Sequence, residues 1–470
     1  MNSFKSLIAE YRLSRSDFSF PDLFLQMKDL NAKIAKLQFL VQDYSIKTMP
    51  QWVSFTTTMA CNLRCPHCQT HGTEEVHRIY NRKKWSGETL TRVSKESLPM
   101  ADEFCLTLNG EPLCTPQFPK ILDDLAQYGA RLHLTTNGTL FSEKILAKVL
   151  PLVGTLAISI DGGTELTCEK IRLGVNFKKL LINIRLLTRT CELVSKLINP
   201  DIRLAVTVMG SNIRDMPEIV QLAHVLKVPA VDFSPVIVLY PHLRNEDIGL
   251  HKALYNTYYK RTLEKAKLLN IKVTMPPLFS EVDENTSSHI GGTYMIVKDL
   301  PEGYYETLPS PESFLDHDAI EIRAAEIATS IRQHALSINK VAGNSLIEKE
   351  LLRMKDWFKM LRKRYKPVLK RLADQEGEKT QYCDNLFRRI FISSEGDVAP
   401  CCLPNRPNLG NIHRNTVNEI WNGDLYNDFR RAFYSPNPPD CCENCRFFNF
   451  IPNKVFLKHL TRPLYLLRYR

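Results

Sequence analysis

Apolar and polar positions follow two rhythms along the chain. From residue 51 to 269, short apolar runs of strand character are each followed by helical spacing. Residues 51–57, 103–108, 131–135, 155–160, 203–209 and 230–237 read as strands. Residues 118–128, 142–149, 177–187, 216–226 and 251–269 read as the helices between and after them. Six strand-then-helix units in a row predict parallel strands joined by right-handed crossovers. Outside this stretch the rhythm is helical. Phe24, Met27, Leu30, Ile34, Leu37 and Leu40 mark an amphipathic lead-in over residues 1–48, and residues 313–370 read as largely helical. Residues 281–310 are polar and irregular, and 451–470 form a basic, aromatic tail.

A chain of 470 residues with 44% hydrophobic content is expected to hold two or three units, each with a core. No signal-peptide core opens the sequence and no uninterrupted apolar run is long enough to span a bilayer, so a cytoplasmic, non-membrane protein is expected. The net charge of +11 suits either plain solubility or an acidic partner. The basic stretch with Lys359, Arg362, Lys363, Arg364 and Lys370 is either a solvated helix face or a partner surface.

The thirteen cysteines change the picture. None falls between Cys191 and Cys383, and the tightest clusters lie near the two ends, which suits metal sites in a reducing compartment. Cys61, Cys65 and Cys68 form a C-x3-C-x2-C run just after the first strand. Three thiolates can hold three corners of a four-iron cluster and leave one iron for chemistry, whereas protein-only electron carriers normally use four. A zinc site completed by His67 or His71 is the alternative for the loop alone.

The loop resembles that of the radical S-adenosylmethionine (SAM) enzymes. Motifs at successive later strand ends strengthen the resemblance. Asn109-Gly110-Glu111-Pro112 resembles the segment that binds the SAM amino group, with Asn109 in place of its first glycine. Thr136-Asn137-Gly138 resembles the next turn, and Ser159-Ile160-Asp161-Gly162 resembles the segment facing the SAM ribose and methionine. Glu169-Lys170-Ile171-Arg172-Leu173-Gly174 resembles the segment whose arginine pairs with the SAM carboxylate, and Val236 is placed to pack the adenine. His67 stands where relatives carry an aromatic residue. The resemblance implies a partial (β/α)6 barrel over residues 49–275. Sites of such barrels lie at the C-terminal ends of the strands.

A second set comprises Cys383, Gly396, Cys401, Cys402, Cys441, Cys442 and Cys445, with Leu409-Gly410-Asn411-Ile412, Trp421, Tyr426 and Arg430 between them. It resembles the SPASM/Twitch extension of the same family. The resemblance implies a small α+β domain over residues 381–450 and a helical insertion over 276–380. It also implies one auxiliary 4Fe-4S cluster on Cys383, Cys401, Cys442 and Cys445; a zinc ribbon is the other reading of such a set. Cys402 is either a hydrogen-atom donor to a substrate radical or a buried or alternative cluster thiol, and Cys441 is left over.

The function the resemblance implies is SAM cleavage to a 5′-deoxyadenosyl radical that abstracts hydrogen from a peptide, by cross-linking, epimerisation or excision chemistry. Two 4Fe-4S clusters and SAM are the expected cofactors. The expected partners are a peptide with an acidic leader, a flavodoxin- or ferredoxin-type reductant and a separate leader-binding protein; nucleic acid is not among them. The alternatives are an aminosugar dehydrogenase and a non-catalytic Fe–S electron carrier.

Overall fold

The computed structural model describes residues 22–41, 43–44, 47–82, 87–106, 109–280, 304–337, 345–374, 379–383, 385–401, 406–443, 445 and 449–452. The six expected strands are all present: β1 (Trp52–Phe55), β2 (Glu103–Cys105), β3 (Arg131–Thr136), β4 (Val153–Ser159), β5 (Asp201–Val208) and β6 (Ala230–Pro235). They pair in sequence order, all parallel. A seventh parallel strand, β7 (Lys272–Thr274), pairs with β6 and extends the expected six. Lys272 and Thr274 are exposed and only Val273 is half-buried, too little pattern to announce it.

β1 and β2 stop sooner than their apolar runs. The chain leaves the sheet at Phe55 and Cys105, although Thr56 N–H still bonds Ile392 O at 3.0 Å and Leu106 N–H bonds His133 O at 3.1 Å. Residues 107 and 108, the last two expected in β2, lie outside the described residues. Helices Glu74–Arg82 and Gly87–Ser97 fill the β1–β2 crossover. The first is nine residues long and polar apart from Val76, Ile79 and Tyr80, too short a pattern for periodicity to predict it.

The C-terminal segment mixes strands and helices, as the expected fold class requires, and it also joins the barrel sheet. Strand β8 (Lys379–Tyr382) precedes it, and then β9 (Arg389–Ile392) lies parallel to β1 on the side opposite β2, placing Val53 between Ile390 and Phe104. All four β9 residues are buried. Strands β10 (Asp397–Ala399) and β11 (Gly410–Asn411) continue antiparallel, giving a ten-stranded row from β11 to β7 whose ends do not pair among the described residues. Strand β12 (Asn449–Pro452) returns to pair with β8 in a sheet of two. Helices Val417–Trp421 and Asp424–Phe433 come after the hairpin, the first opened by a capping box of Thr416 and Glu419.

The helical parts pack where their stripes point. Met27, Leu30, Ile34 and Leu37 of helix Asp22–Leu40 bury against Leu351, Met354, Leu361 and Tyr365 of helix Ser345–Asp374. Phe24 instead meets Tyr128 edge-on. Helix His317–Ser337 buries Ile320, Ala324, Ile327 and Ile331 against the barrel helices Phe177–Leu193 and Glu143–Val149. No helix among the described residues is long and apolar enough to cross a membrane.

Candidate functional site

The site is built from the loops that leave β1, β2, β3 and β4. The cysteine loop is tied to the β2 loop by Glu111 N–H to Ala60 O at 2.8 Å. That closeness needs Gly110: its φ is +67°, and a Cβ there would meet Thr58 O at 2.5 Å and Ala60 O at 2.8 Å. Asn109 does tolerate a side chain, whose Oδ1 accepts from Gln69 Nε2 and Thr70 Oγ1, both at 2.9 Å. Pro112 opens a short 3-10 turn and is buried.

The Glu111 carboxylate is fixed from three sides. Oε1 accepts from Thr136 Oγ1 at 2.7 Å and Leu113 N–H at 3.2 Å, and Oε2 from Asn137 N–H at 2.8 Å. Burial still holds its pKa above the ordinary value, against those hydrogen bonds. Asn137 also donates to Asn62 Oδ1 at 2.9 Å, so the β3 turn locks onto the cysteine loop. Asn62 lies between the first two cysteines, at a position the motif spacing leaves unspecified, and sequence reasoning misses it as a site residue.

From β4, Ser159 ends the strand half-buried, and two residues later Asp161 turns inward. Its Oδ1 accepts Thr207 N–H at 2.7 Å; its Oδ2 accepts Arg172 Nη1 at 2.6 Å and lies 3.4 Å from His67 Nε2. Burial tends to raise the Asp161 carboxyl, but Arg172 and His67 overcome it and hold it well below the usual carboxylate range. The motifs place Arg172 and Asp161 as separate ligand contacts; the structure makes them partners. Arg172 Nε and His67 Nδ1 are buried without a protein partner. Val236, at the end of β6, is buried with Ile171 and Met209.

The Asp161–Arg172 pair gives a stability prediction. Asp161→Asn leaves a buried guanidinium without its carboxylate, and should cost about 3–5 kcal/mol in denaturant unfolding. The pH dependence has a definite sign. A depressed carboxyl pKa means the unfolded chain binds the proton more readily, so the contribution is full above roughly pH 4 and is lost as pH falls below it. Asp161→Asn should therefore flatten the stability profile below that value.

The three loop thiols lie within electrostatic reach of one another, Cys61 with Cys65 and Cys65 with Cys68. Burial pushes Cys61 up to about 12 and Cys65 to about 11. Two thiols already receive backbone donors: Leu63 N–H to Cys61 Sγ and Thr70 N–H to Cys68 Sγ, each at 3.4 Å. Among the described residues no three His, Cys, Asp or Glu side chains are gathered as a single metal ion would need. The donor set instead fits a larger, thiolate-bound group with an anionic ligand. Thiols face it on one loop, and the orphaned Arg172 Nε and His67 Nδ1 stand beside them.

Cys383, Cys401, Cys441 and Cys442 gather at the other end: Cys442 interacts with the other three, its sulfur 4.0 Å from that of Cys441. Cys445 N–H bonds Cys442 O at 3.1 Å, and Tyr382 pairs with Asn449, which draws the chain around Cys383 and Cys445 together. Behind them Arg430 is fully buried, donating to the carbonyls of Leu386 and Trp421 and to Asn427 Oδ1, with Tyr426 and Trp421 rings at 4.3 and 4.5 Å. Burial pushes its guanidinium down to about 9. Cys402 lies outside the described residues.

A cavity of about 330 Å³ is lined by Thr56, Met59 and Asn109 from the β1 and β2 loops and by Ser393, Glu395 and Arg406 from the β9–β11 segment.

Comparison with known proteins gives the same division. Residues 55–199 match the Radical SAM superfamily and residues 383–446 match the SPASM iron-sulfur cluster-binding domain. The AdoMet-dependent heme synthase of Methanosarcina barkeri is 30% identical over 128 residues, 26% of this chain and 34% of that protein. The Fe-coproporphyrin III synthase of the same organism is 27% identical over 256 residues, 53% of this chain and 59% of that protein. The chain thus spans less than two thirds of either relative. Among solved structures, Streptococcus suis SuiB bound to S-adenosylmethionine overlays with a TM-score of 0.48 at 13% identity, covering 87% of this chain and 73% of that one. The two domains imply SAM, a 4Fe-4S cluster and auxiliary iron–sulfur centres.

Proposed function

We propose, for a chain that carries a radical SAM domain and then a SPASM domain, that it is a radical SAM enzyme acting on a peptide. One observation carries the reading. The three-thiol loop, Glu111 and the Asp161–Arg172 pair converge at the C-terminal ends of neighbouring strands. When bound, the cluster and SAM supply a 5′-deoxyadenosyl radical able to take hydrogen from an unactivated C–H bond. The chain's part is to bind and orient. Cys61, Cys65 and Cys68 are the cluster ligands. Glu111 and the carbonyls of Asn109 and Gly110 offer acceptors to the SAM ammonium. Arg172, with Nε still unpartnered, takes the carboxylate, and Asp161 holds Arg172 in place. Asn137 and Ser159 line the ribose and methionine side, and Val236 the adenine. Cys383, Cys401, Cys442 and Cys445 hold the auxiliary cluster, with Cys441 alongside and Cys402 as a candidate thiol donor.

The substrate reading rests on the cavity that the β1 and β2 loops line together with the β9–β10 hairpin. At about 330 Å³ it is at the small end of ligand sites, which suits one or two peptide side chains better than a macrocycle. Exposed Lys359, Arg362, Lys363, Arg364 and Lys366 on helix Ser345–Asp374 offer a surface for an acidic leader. A flavodoxin- or ferredoxin-type protein supplies the electron. A second reading, action on a tetrapyrrole, is favoured by the likeness to a heme synthase and an Fe-coproporphyrin III synthase.

The test is 5′-deoxyadenosine release by anaerobically reconstituted protein given peptide fractions, iron porphyrins or aminosugars. Stimulation by peptides alone is expected. Stimulation by porphyrins alone moves the substrate to the second reading, and by aminosugars alone to a sugar dehydrogenase.

A further inference from the structure

Helix Glu74–Arg82 turns little of itself toward the core. Glu74, Glu75, Arg78, Ile79 and Asn81 are exposed. Its contacts run to the cysteine loop through an unbroken chain of hydrogen bonds. His71 Nε2 meets Met59 O at 2.7 Å, His71 Nδ1 meets His77 Nδ1 at 3.0 Å, and His77 Nε2 meets Asn81 Nδ2 at 3.0 Å. Asn81 Nδ2 also reaches Cys61 O at 3.1 Å, and Asn81 Oδ1 accepts Cys61 N–H at 2.9 Å. His77 and Asn81 are four apart and so share a helix face.

Only one assignment of protons satisfies all five bonds. Met59 O can only accept, so His71 Nε2 carries a proton and its Nδ1 is a bare acceptor. His77 must then donate from Nδ1, which leaves its Nε2 as an acceptor. Asn81 therefore donates one N–H to His77 and the other to Cys61 O, and its oxygen faces Cys61 N–H. A flipped amide would set oxygen against the Cys61 carbonyl and N–H against N–H. Burial of His71 and His77 lowers both pKa values, in keeping with two neutral rings.

We propose that Asn81, oriented by His77 and His71, is a positioning residue for the cysteine loop. It fixes the peptide groups on both sides of Cys61 so that Leu63 N–H stays aimed at Cys61 Sγ. This rests on the reading of Cys61 as a cluster ligand. Hydrogen bonds to cluster sulfurs set reduction potential, and partners behind a ligand commonly orient it. Losing the Leu63 N–H contact leaves more charge on the sulfur and shifts the cluster to lower potential.

The test uses full-length, anaerobically reconstituted protein and tracks the EPR signal that SAM perturbs during a redox titration, with iron content measured alongside. Asn81→Ala and His77→Ala should shift its midpoint to lower potential while the auxiliary signal stays put. His77→Gln, which keeps one donor and one acceptor, should stay nearer the wild type. Asn81→Asp can still accept from Cys61 but cannot donate to Cys61 O, and should shift as Asn81→Ala does. Histidine-selective ¹⁵N NMR of the metal-free chain should show His71 protonated at Nε2 and His77 at Nδ1. An unchanged midpoint in Asn81→Ala at wild-type iron content, or the opposite tautomers, overturns the proposal. A wild-type protein with no SAM-responsive signal overturns the cluster reading beneath it, while the tautomer result still reports on the hydrogen-bond chain itself.

Discussion

Cys65→Ala is expected to abolish 5′-deoxyadenosine formation and to halve the iron content, from about eight to about four atoms per chain. Cys65 is the central thiol of the loop. It is 7% exposed and stands within reach of Cys68, Arg172 and Asp161. Two remaining thiols cannot hold a four-iron cluster against loss. The Asp161–Arg172 pair survives the substitution, so the fold around the site should persist. The auxiliary centre has its own cysteines and should keep its EPR signal. Cys168 makes the sharper control: it is also buried, beside Cys65 and Arg172, but lies outside the loop. Cys168→Ala should cost about 1 kcal/mol of packing and leave the iron count alone. Iron loss from Cys168→Ala and not from Cys65→Ala would contradict the assignment, as would zinc in the loop by metal analysis.

Gly110→Ala should weaken SAM binding by about tenfold or more. Two costs add at this position. A non-glycine residue at φ +67° bears about 1–3 kcal/mol of strain. Its Cβ would also sit 2.5 Å from a backbone oxygen that has no rotamer to escape into. The relief is for the β2 loop to back away, which stretches the Glu111–Ala60 bond and moves Glu111 off Thr136 and Asn137. Each 1.4 kcal/mol so lost is a factor of ten in affinity. Asn109→Gly should cost less, because it removes only the bonds from Gln69 and Thr70. Equilibrium dialysis of SAM on the reconstituted variants would read both. Wild-type affinity for Gly110→Ala would mean that the two loops are not coupled as described.

The six-strand rhythm is legible because each barrel strand buries apolar residues on a short run and ends in a turn signal. Cys61, Glu111, Asn137 and Asp161 can be placed at strand ends for the same reason, whereas Arg172 caps helix Glu165–Ile171 beyond β4. The rest lies in pairings that local pattern does not encode. The parallel docking of β9 on β1 joins segments far apart in sequence, and nothing in Arg389–Ile392 names its neighbour. The Asp161–Arg172 pair needs three dimensions too: each motif marks its residue as a ligand contact, but a buried guanidinium needs a carboxylate first. Helix Glu74–Arg82 escapes because its partners are polar loop atoms, and with it go His77 and Asn81. Spacing also does not settle which of Cys441 and Cys442 faces the auxiliary site, since neighbours on one short helix point different ways.

The central claim is that the loop of Cys61, Cys65 and Cys68 brings about reductive cleavage of SAM. The most direct measurement is 5′-deoxyadenosine by mass spectrometry, from dithionite-reduced, reconstituted protein with SAM as its sole substrate, beside Cys65→Ala at equal protein. The account predicts slow release from the wild type and none above background from the variant. Equal release from both, or none from a wild type whose two clusters are verified by iron content and EPR, would contradict it.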